Sequence, residues 1–139
     1  MEGYDLSKFY INWLCWFIET KEIKMGIIRD LERRINKFER KERTDEEKSR
    51  FASMLMRKFD YIAERRREGM DIKVFADQKH MRPAIRRAIK RYSDGRTTLN
   101  KAEEELNNLR ETALKYLTER GYYSAAHEQS ELRERGEAR

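Results

Sequence analysis

Cationic side chains crowd the stretch from Met70 to Arg96, where they share one predicted helix with a short apolar stripe. Four apolar residues fall at positions i, i+3, i+4 and i+7 of this helix, the repeat that gives it one buried side: Ile85, Ala88, Ile89 and Tyr92. Five cations fill the rest: Arg82, Arg86, Arg87, Lys90 and Arg91. Burial of the isoleucines would turn these cations outward together, and guanidinium and ammonium groups are the usual ligands of phosphates.

The positive charge of the chain is concentrated in the same region. The formal net charge is +6, and residues 57–96 alone hold 13 Lys or Arg against 6 Asp or Glu. Such a local excess is the electrostatic footprint expected of a nucleic-acid surface. We therefore predict a non-enzymatic nucleic-acid-binding protein, with DNA favoured over RNA, that contacts phosphates through an arginine-rich face at 65–96. The predicted contact residues are Arg65, Arg66, Arg67, Lys73, Lys79, Arg82, Arg86, Arg87, Lys90, Arg91 and Arg96.

Residues 72–92 have the outline of a helix-turn-helix unit, with a short helix ending in DQKHM, a tight turn and an arginine-rich second helix. The match is partial. His80 occupies the turn position where glycine is common, and Arg82-Pro83 replaces the usual capping serine or threonine. We predict a helix-turn-helix-like unit here without assigning it to a family.

A second interpretation makes the chain a helical protein–protein interaction module, such as a phage, plasmid or host regulatory or inhibitor protein. The arginine surface would then meet an acidic partner protein. Trp13, Trp16, Tyr122 and Tyr123 are aromatic anchors of the kind that dominate interfaces, with core packing as the alternative role for each. Nucleic acid that co-purifies and is removed by high salt favours the first interpretation, and a stoichiometric host protein favours the second.

Residue patterns typical of enzymes are missing from the sequence. His80 and His127 lie far apart without a metal-spaced partner, and there is no CxxC pair, no glycine-rich phosphate loop and no Ser, His and Asp constellation. The run Glu103-Glu104-Glu105 points in different directions around a helix and suits its first turn. We therefore predict no catalytic residue, no cofactor and no metal.

Cysteine content and hydropathy indicate an intracellular, cytoplasmic protein. Cys15 is the only cysteine, so no internal disulfide can form. The apolar run from Phe9 to Ile18 is ten residues long, well below the roughly 20 that cross a bilayer. It predicts a central core helix or a homodimer contact, with a membrane-surface helix as the alternative.

An all-α fold of four to five helices, arranged as antiparallel helical hairpins or a bundle, must position these residues. The single Pro and six Gly lie almost all at predicted helix ends. The first helix is expected to begin near Asp5 or Ser7 and to reach about residue 42, with continuity through Gly26 favoured over a break and a separate second helix there. The second starts at a Thr44–Glu47 capping box, ends at Gly69 and pairs with the first as an antiparallel hairpin.

The rest of the chain is expected to contain three more helical segments and a tail. A short helix is predicted at 72–80, then the basic helix from Pro83 to the stop at Gly95. The last long helix has Thr97, Thr98 or Asn100 as candidate caps and ends at Gly121, with Tyr122 folding back onto it. Residues 1–123 are predicted to form a single helical domain, and 124–139 a weakly ordered charged tail.

Overall fold

The computed structural model describes residues 6–123, with side chains described from residue 21 onward. The helices are α1 (Leu6–Phe38), α2 (Asp45–Arg67), α3 (Pro83–Ser93) and α4 (Leu99–Glu119), and a short 3₁₀ turn (Ile72–Phe75) lies between α2 and α3. Residues 6–123 contain no strand, which confirms the all-α prediction. The predicted cap Asp5 and the tail at 124–139 lie outside the described residues. The side chains of Ser7 and of the apolar run from Phe9 to Ile18, which includes Cys15, also lie outside them.

Helix α1 runs unbroken through Gly26, as predicted. A Cβ added at Gly26 would lie 3.7 Å from the Cβ of Ala84 and 3.4 Å from Nη1 of Arg87, so the missing side chain is where α3 crosses α1. The helix ends at Phe38 and not near residue 42. Arg43 explains the earlier end, because its Nε donates to the Phe38 carbonyl at 2.9 Å and so supplies a partner for a terminal carbonyl of α1.

Helix α2 begins at the predicted capping box. The N–H of Glu47 donates to Oγ1 of Thr44 at 3.2 Å, and the Glu47 carboxylate accepts from the Thr44 N–H. Beyond the other end, Gly69 has a φ of 93°, the left-handed conformation that only glycine adopts without cost. Both predicted ends of this helix are therefore confirmed.

The segment after Gly69 differs from the prediction of a short helix at 72–80. Only Ile72–Phe75 is helical, and it forms a 3₁₀ turn. The Asp71 carboxylate caps this turn by accepting a hydrogen bond from the backbone N–H of Lys73 at 3.0 Å. Four residues cannot offset the cost of nucleating an α-helix, and burial of Ile72 and Phe75 holds the turn instead. Residues 72–92 therefore contain one α-helix, and the two helices of the predicted helix-turn-helix-like unit are not both formed.

Helix α3 has Pro83 at its first position and is followed by Gly95 with a φ of 77°. Its isoleucines, Ile85 and Ile89, are fully buried, which confirms the predicted inward stripe. Helix α4 is capped by Thr98, one of the three candidates, whose Oγ1 accepts from the Lys101 N–H at 3.3 Å.

Packing between the helices departs from the predicted hairpin of α1 with α2. Helix α1 packs along α3 and α4, whereas α2 packs along α4 and the 3₁₀ turn. The first two helices meet at their connection, where the rings of Phe38 and Phe51 stack with centroids 4.2 Å apart. Tyr122, which was predicted to fold back onto α4, is buried and lies against both of these rings. The buried apolar residues of α1 therefore pack against α3 and α4, and this packing places α1 beside the basic helix α3.

Candidate nucleic-acid interface

The outer side of α3 carries the cations that the sequence places opposite the isoleucines. Arg87 and Lys90 are exposed, and Arg86 is half-buried. No described side chain forms an ion pair with any of the three. At roughly 100° per residue these three positions span about a third of the helix circumference, so α3 presents them to one side of the molecule.

Arg91 lies on the inner side of the same helix. Its Nη1 contacts both carboxylate oxygens of Glu105 on α4, at 3.1 and 3.2 Å. The two side chains are only 10% and 8% exposed. Ala84, Ala88 and Arg91 are spaced i, i+4 and i+7, so they lie on the same face of α3. Because this face is buried, the guanidinium of Arg91 points inward together with the two alanines. This cation joins α3 to α4 and is withdrawn from the predicted outer surface.

Three further cations of the predicted set lie beside carboxylates of the same chain. Arg82 lies 3.7 Å from Asp30 of α1, and Arg66 forms an ion pair with Glu103 of α4. Arg65 contacts Glu68 at 2.7 Å, and this carboxylate raises the pKa of the Arg65 guanidinium above its usual value. Cations that contact a carboxylate have less charge to offer an external anion.

The remaining predicted cations are exposed, and no described residue forms an ion pair with them. Nζ of Lys73 lies 5.2 Å from the centre of the Tyr92 ring, a cation–π contact that leaves its charge uncompensated. Including α3, the predicted residues that have no carboxylate partner among residues 21–123 are Arg67, Lys73, Lys79, Arg86, Arg87, Lys90 and Arg96.

A groove between α1 and α3 brings part of this set together. Its two adjoining depressions, of about 420 and 450 Å³, share Glu22 and Arg87. We define the α1–α3 groove by its exposed cations, which are Lys21, Arg29, Arg87, Lys90 and Arg96. The carboxylates that line it are Glu22 and Asp94. Positive side chains therefore outnumber the negative ones among the exposed residues of this groove.

Two of these cations, Lys21 and Arg29, were missed by the sequence prediction. They belong to α1, more than 40 residues before the basic stretch at 70–96, and stand at i and i+8 on one face of that helix with Met25 between them. A partial signal was present in the sequence, because Gly26 lies between them along α1 and a glycine lets another helix approach closely.

A second groove lies between α2 and α4 and has a volume of about 420 Å³. Its apolar lining includes Phe59, Ile62 and Leu106. Two ion pairs bridge its helices: Arg66 of α2 with Glu103 of α4, and Asp60 of α2 with Arg110 of α4. Two of the three arginines that line the α2–α4 groove, Arg66 and Arg110, are therefore paired with carboxylates of the opposite helix, and the third, Arg67, is not.

The described titratable side chains do not cluster in the way that a metal site requires. Across the described part of the chain, no three His, Cys, Asp or Glu side chains lie close enough together to hold a metal ion. The exposed His80 packs edge-on against Tyr61, with ring centroids 6.1 Å apart, and His127 lies outside the described residues. Nor does any described helix have an apolar stretch of the length needed to cross a membrane.

Comparison of this chain with protein-family models, with curated proteins and with solved structures found no match.

Proposed function

We propose that this protein binds nucleic acid, without catalysis, through phosphate contacts made by the outward cations of α3. The observation that carries the proposal is the contrast within the basic stretch. Arg87, Lys90 and Arg96 line one groove and have no carboxylate partner among the described residues, whereas Arg91, on the inner side of the same helix, is buried against Glu105.

Uncompensated surface cations suit a polyanion because binding releases the counterions condensed on it. Duplex DNA carries one negative charge per roughly 1.7 Å of helix axis, and each phosphate that a protein neutralises adds about 0.9 to the slope of log affinity against log salt concentration. A surface of this kind positions the protein on the phosphate backbone and reads no base sequence by itself. Duplex DNA is accordingly the first ligand to test.

The test is fluorescence anisotropy of a labelled 20-base-pair duplex, titrated with the full chain at several salt concentrations. The charge reversal Arg87→Glu/Lys90→Glu is expected to abolish binding at the low-salt end. Arg40→Glu/Lys41→Glu changes the net charge equally at an exposed turn beyond the far end of α1, and it is expected to retain most of the affinity. Equal losses in the two variants would show that net charge alone, and not this surface, governs binding.

The acidic-partner interpretation is tested in the same format. Polyglutamate of matched charge competes poorly with the duplex if the spacing of phosphates matters, and competes equally if the surface accepts any polyanion. A protein that shows no affinity for duplex DNA or duplex RNA at low salt would overturn the proposal and leave the protein–protein module as the working hypothesis. Light scattering of the complex reports its stoichiometry and tests the predicted homodimer.

A further inference from the structure

The α1–α3 groove has two walls, and the prediction from sequence concerned only one of them. We infer that Lys21 and Arg29 of α1 contact the same duplex phosphate backbone as Arg87 and Lys90 of α3. The ligand class is double-stranded nucleic acid, and the contact surface is the groove rather than α3 alone. This inference rests on the proposed function and extends it to a second helix.

Gly26 is the reason that the two walls lie close together. The position of its absent Cβ is 3.4 Å from Nη1 of Arg87, so the guanidinium of α3 lies directly against the backbone of α1. Arg87 accordingly lines both depressions of the groove, together with Glu22. A larger side chain at position 26 would occupy the space that this guanidinium uses.

The α1 cations flank the point of crossing. Lys21 and Arg29 are eight residues apart, which corresponds to about 12 Å along a helix axis, and Gly26 lies between them. The Arg87 guanidinium lies against Gly26, and so between the helical positions of Lys21 and Arg29 along the axis of α1. Three positive charges in succession along one groove match the repeated charges of a phosphate backbone better than they match a single small anion.

The lining of the groove favours a duplex over a single strand. Non-specific single-strand sites combine a basic channel with aromatic rings on which bases stack. The described residues that line the α1–α3 groove include no aromatic ring, and its apolar members are Ile23 and Met25. A surface of cations without stacking partners addresses phosphates whose bases remain paired with each other.

The experiment compares salt slopes for the full chain and two variants on one 20-base-pair DNA duplex. Each phosphate that is no longer neutralised lowers the slope by about 0.9, so Lys21→Ala/Arg29→Ala is expected to lower it by about 1.8. The matched control Arg40→Ala/Lys41→Ala also removes one lysine and one arginine, at a turn outside the groove, and is expected to leave the slope unchanged. Circular dichroism and a thermal melt show whether each variant folds.

The outcomes separate this inference from the proposed function. An unchanged slope in Lys21→Ala/Arg29→Ala, together with loss of binding in Arg87→Glu/Lys90→Glu, overturns the inference and leaves the proposed function intact. Absence of any binding by the unmodified chain overturns both. A single strand of the same length that binds more tightly than the duplex, with a slope insensitive to Lys21→Ala/Arg29→Ala, also contradicts the inference, because the bases and not the paired backbone would then be recognised.

Discussion

Each depression of the α1–α3 groove is about as large as the α2–α4 groove, and arginines line both grooves, yet the two grooves offer different electrostatic surfaces. In the α2–α4 groove, Arg66 and Arg110 each lie beside a carboxylate of the opposite helix. In the α1–α3 groove, Glu105 contacts the buried Arg91 on the inner side of α3. The exposed Arg87 and Lys90 of this groove have no carboxylate partner among the described residues. The number of arginines is therefore a poor guide to which groove attracts an anion.

The comparison shows where carboxylates matter in a highly charged protein. A carboxylate at the mouth of a groove cancels the charge that an external ligand would meet, while one beneath a helix fixes that helix without reducing its outer charge. Glu103 is of the first kind and Glu105, two residues later on α4, is of the second. Because consecutive residues of a helix point in different directions, one short acidic run serves both grooves.

Removal of Glu105 is expected to give the largest effect. The variant Glu105→Ala takes away the carboxylate that the buried Arg91 contacts, and breaking a buried ion pair in this way costs about 3 kcal/mol of unfolding free energy. Glu103→Ala breaks a pair whose side chains are 31% and 39% exposed, and the expected cost is below about 1 kcal/mol. Urea unfolding followed by circular dichroism measures both, and equal losses would contradict the distinction between the two carboxylates.

The close approach at Gly26 gives the next effect. Gly26→Leu is expected to destabilise the protein by about 1–3 kcal/mol, since the added atoms must displace Arg87 and separate α3 from α1. Gly26→Ala is expected to stabilise it by up to about 1 kcal/mol, because a single methyl would meet its neighbours at ordinary contact distances and alanine favours the helix. Thermal melts compare the two variants, and destabilisation by alanine would contradict the expectation that a methyl group fits between α1 and α3.

Removal of carboxylates from the α2–α4 groove should make its charge more like that of the α1–α3 groove. The double variant Asp60→Asn/Glu103→Gln removes the carboxylates that Arg110 and Arg66 contact across the α2–α4 groove. Arg66 then has no carboxylate partner among the described residues, and Arg110 keeps only the exposed Glu111, 3.8 Å away. The affinity of this variant for duplex DNA is expected to rise up to about tenfold at low salt, with a salt slope steeper by about 1. The control Glu42→Gln/Glu46→Gln adds the same net charge near the connection of α1 to α2. An equal gain in the control would assign the effect to net charge.

Local signals in the sequence predicted most of the helix ends correctly. Thr44 with Glu47, Pro83 and Gly95 each act through atoms within a few residues, so their consequences do not depend on the rest of the fold. The inward stripe of α3 was predictable for the same reason, since Ile85 and Ile89 lie on one side of any helix that contains them. The prediction of a short helix at 72–80 was wrong because burial of Ile72 and Phe75, and not helix propensity, determines the conformation of that segment.

Contacts between distant helices could not be derived in this way. Arg91 was expected on the outer surface because its partner, Glu105, belongs to α4 and reaches it only once the turn at Gly95 sets the approach of the two helices. Lys21 and Arg29 were overlooked because their relation to α3 depends on α1 packing against α3 and α4 in place of α2. The outward cations of α3 therefore lie where the helical pattern placed them, except for Arg91, and the neighbouring cations of α1 were not anticipated.

The smallest effect is expected away from both grooves, at Tyr122. Its hydroxyl donates to the Glu39 carboxylate, and burial of the ring together with that bond raises the pKa of Tyr122 far above its usual value. Tyr122→Phe is expected to lose about 1 kcal/mol at pH 7, with no change in duplex binding.

The pH dependence gives this last prediction its sign. A raised folded-state pKa means that the stabilisation is fully present below the ordinary tyrosine pKa of about 10 and is lost as the pH rises above it, because the unfolded chain then ionises while the folded one does not. The stability advantage of the unmodified protein over Tyr122→Phe should therefore shrink between pH 9 and 11, as measured by urea unfolding at each pH. If the unfolding free energies of the unmodified protein and Tyr122→Phe change in parallel across this range, the hydroxyl titrates equally in the folded and unfolded states. A change in duplex binding by Tyr122→Phe would show that the region around Tyr122 is not independent of the α1–α3 groove.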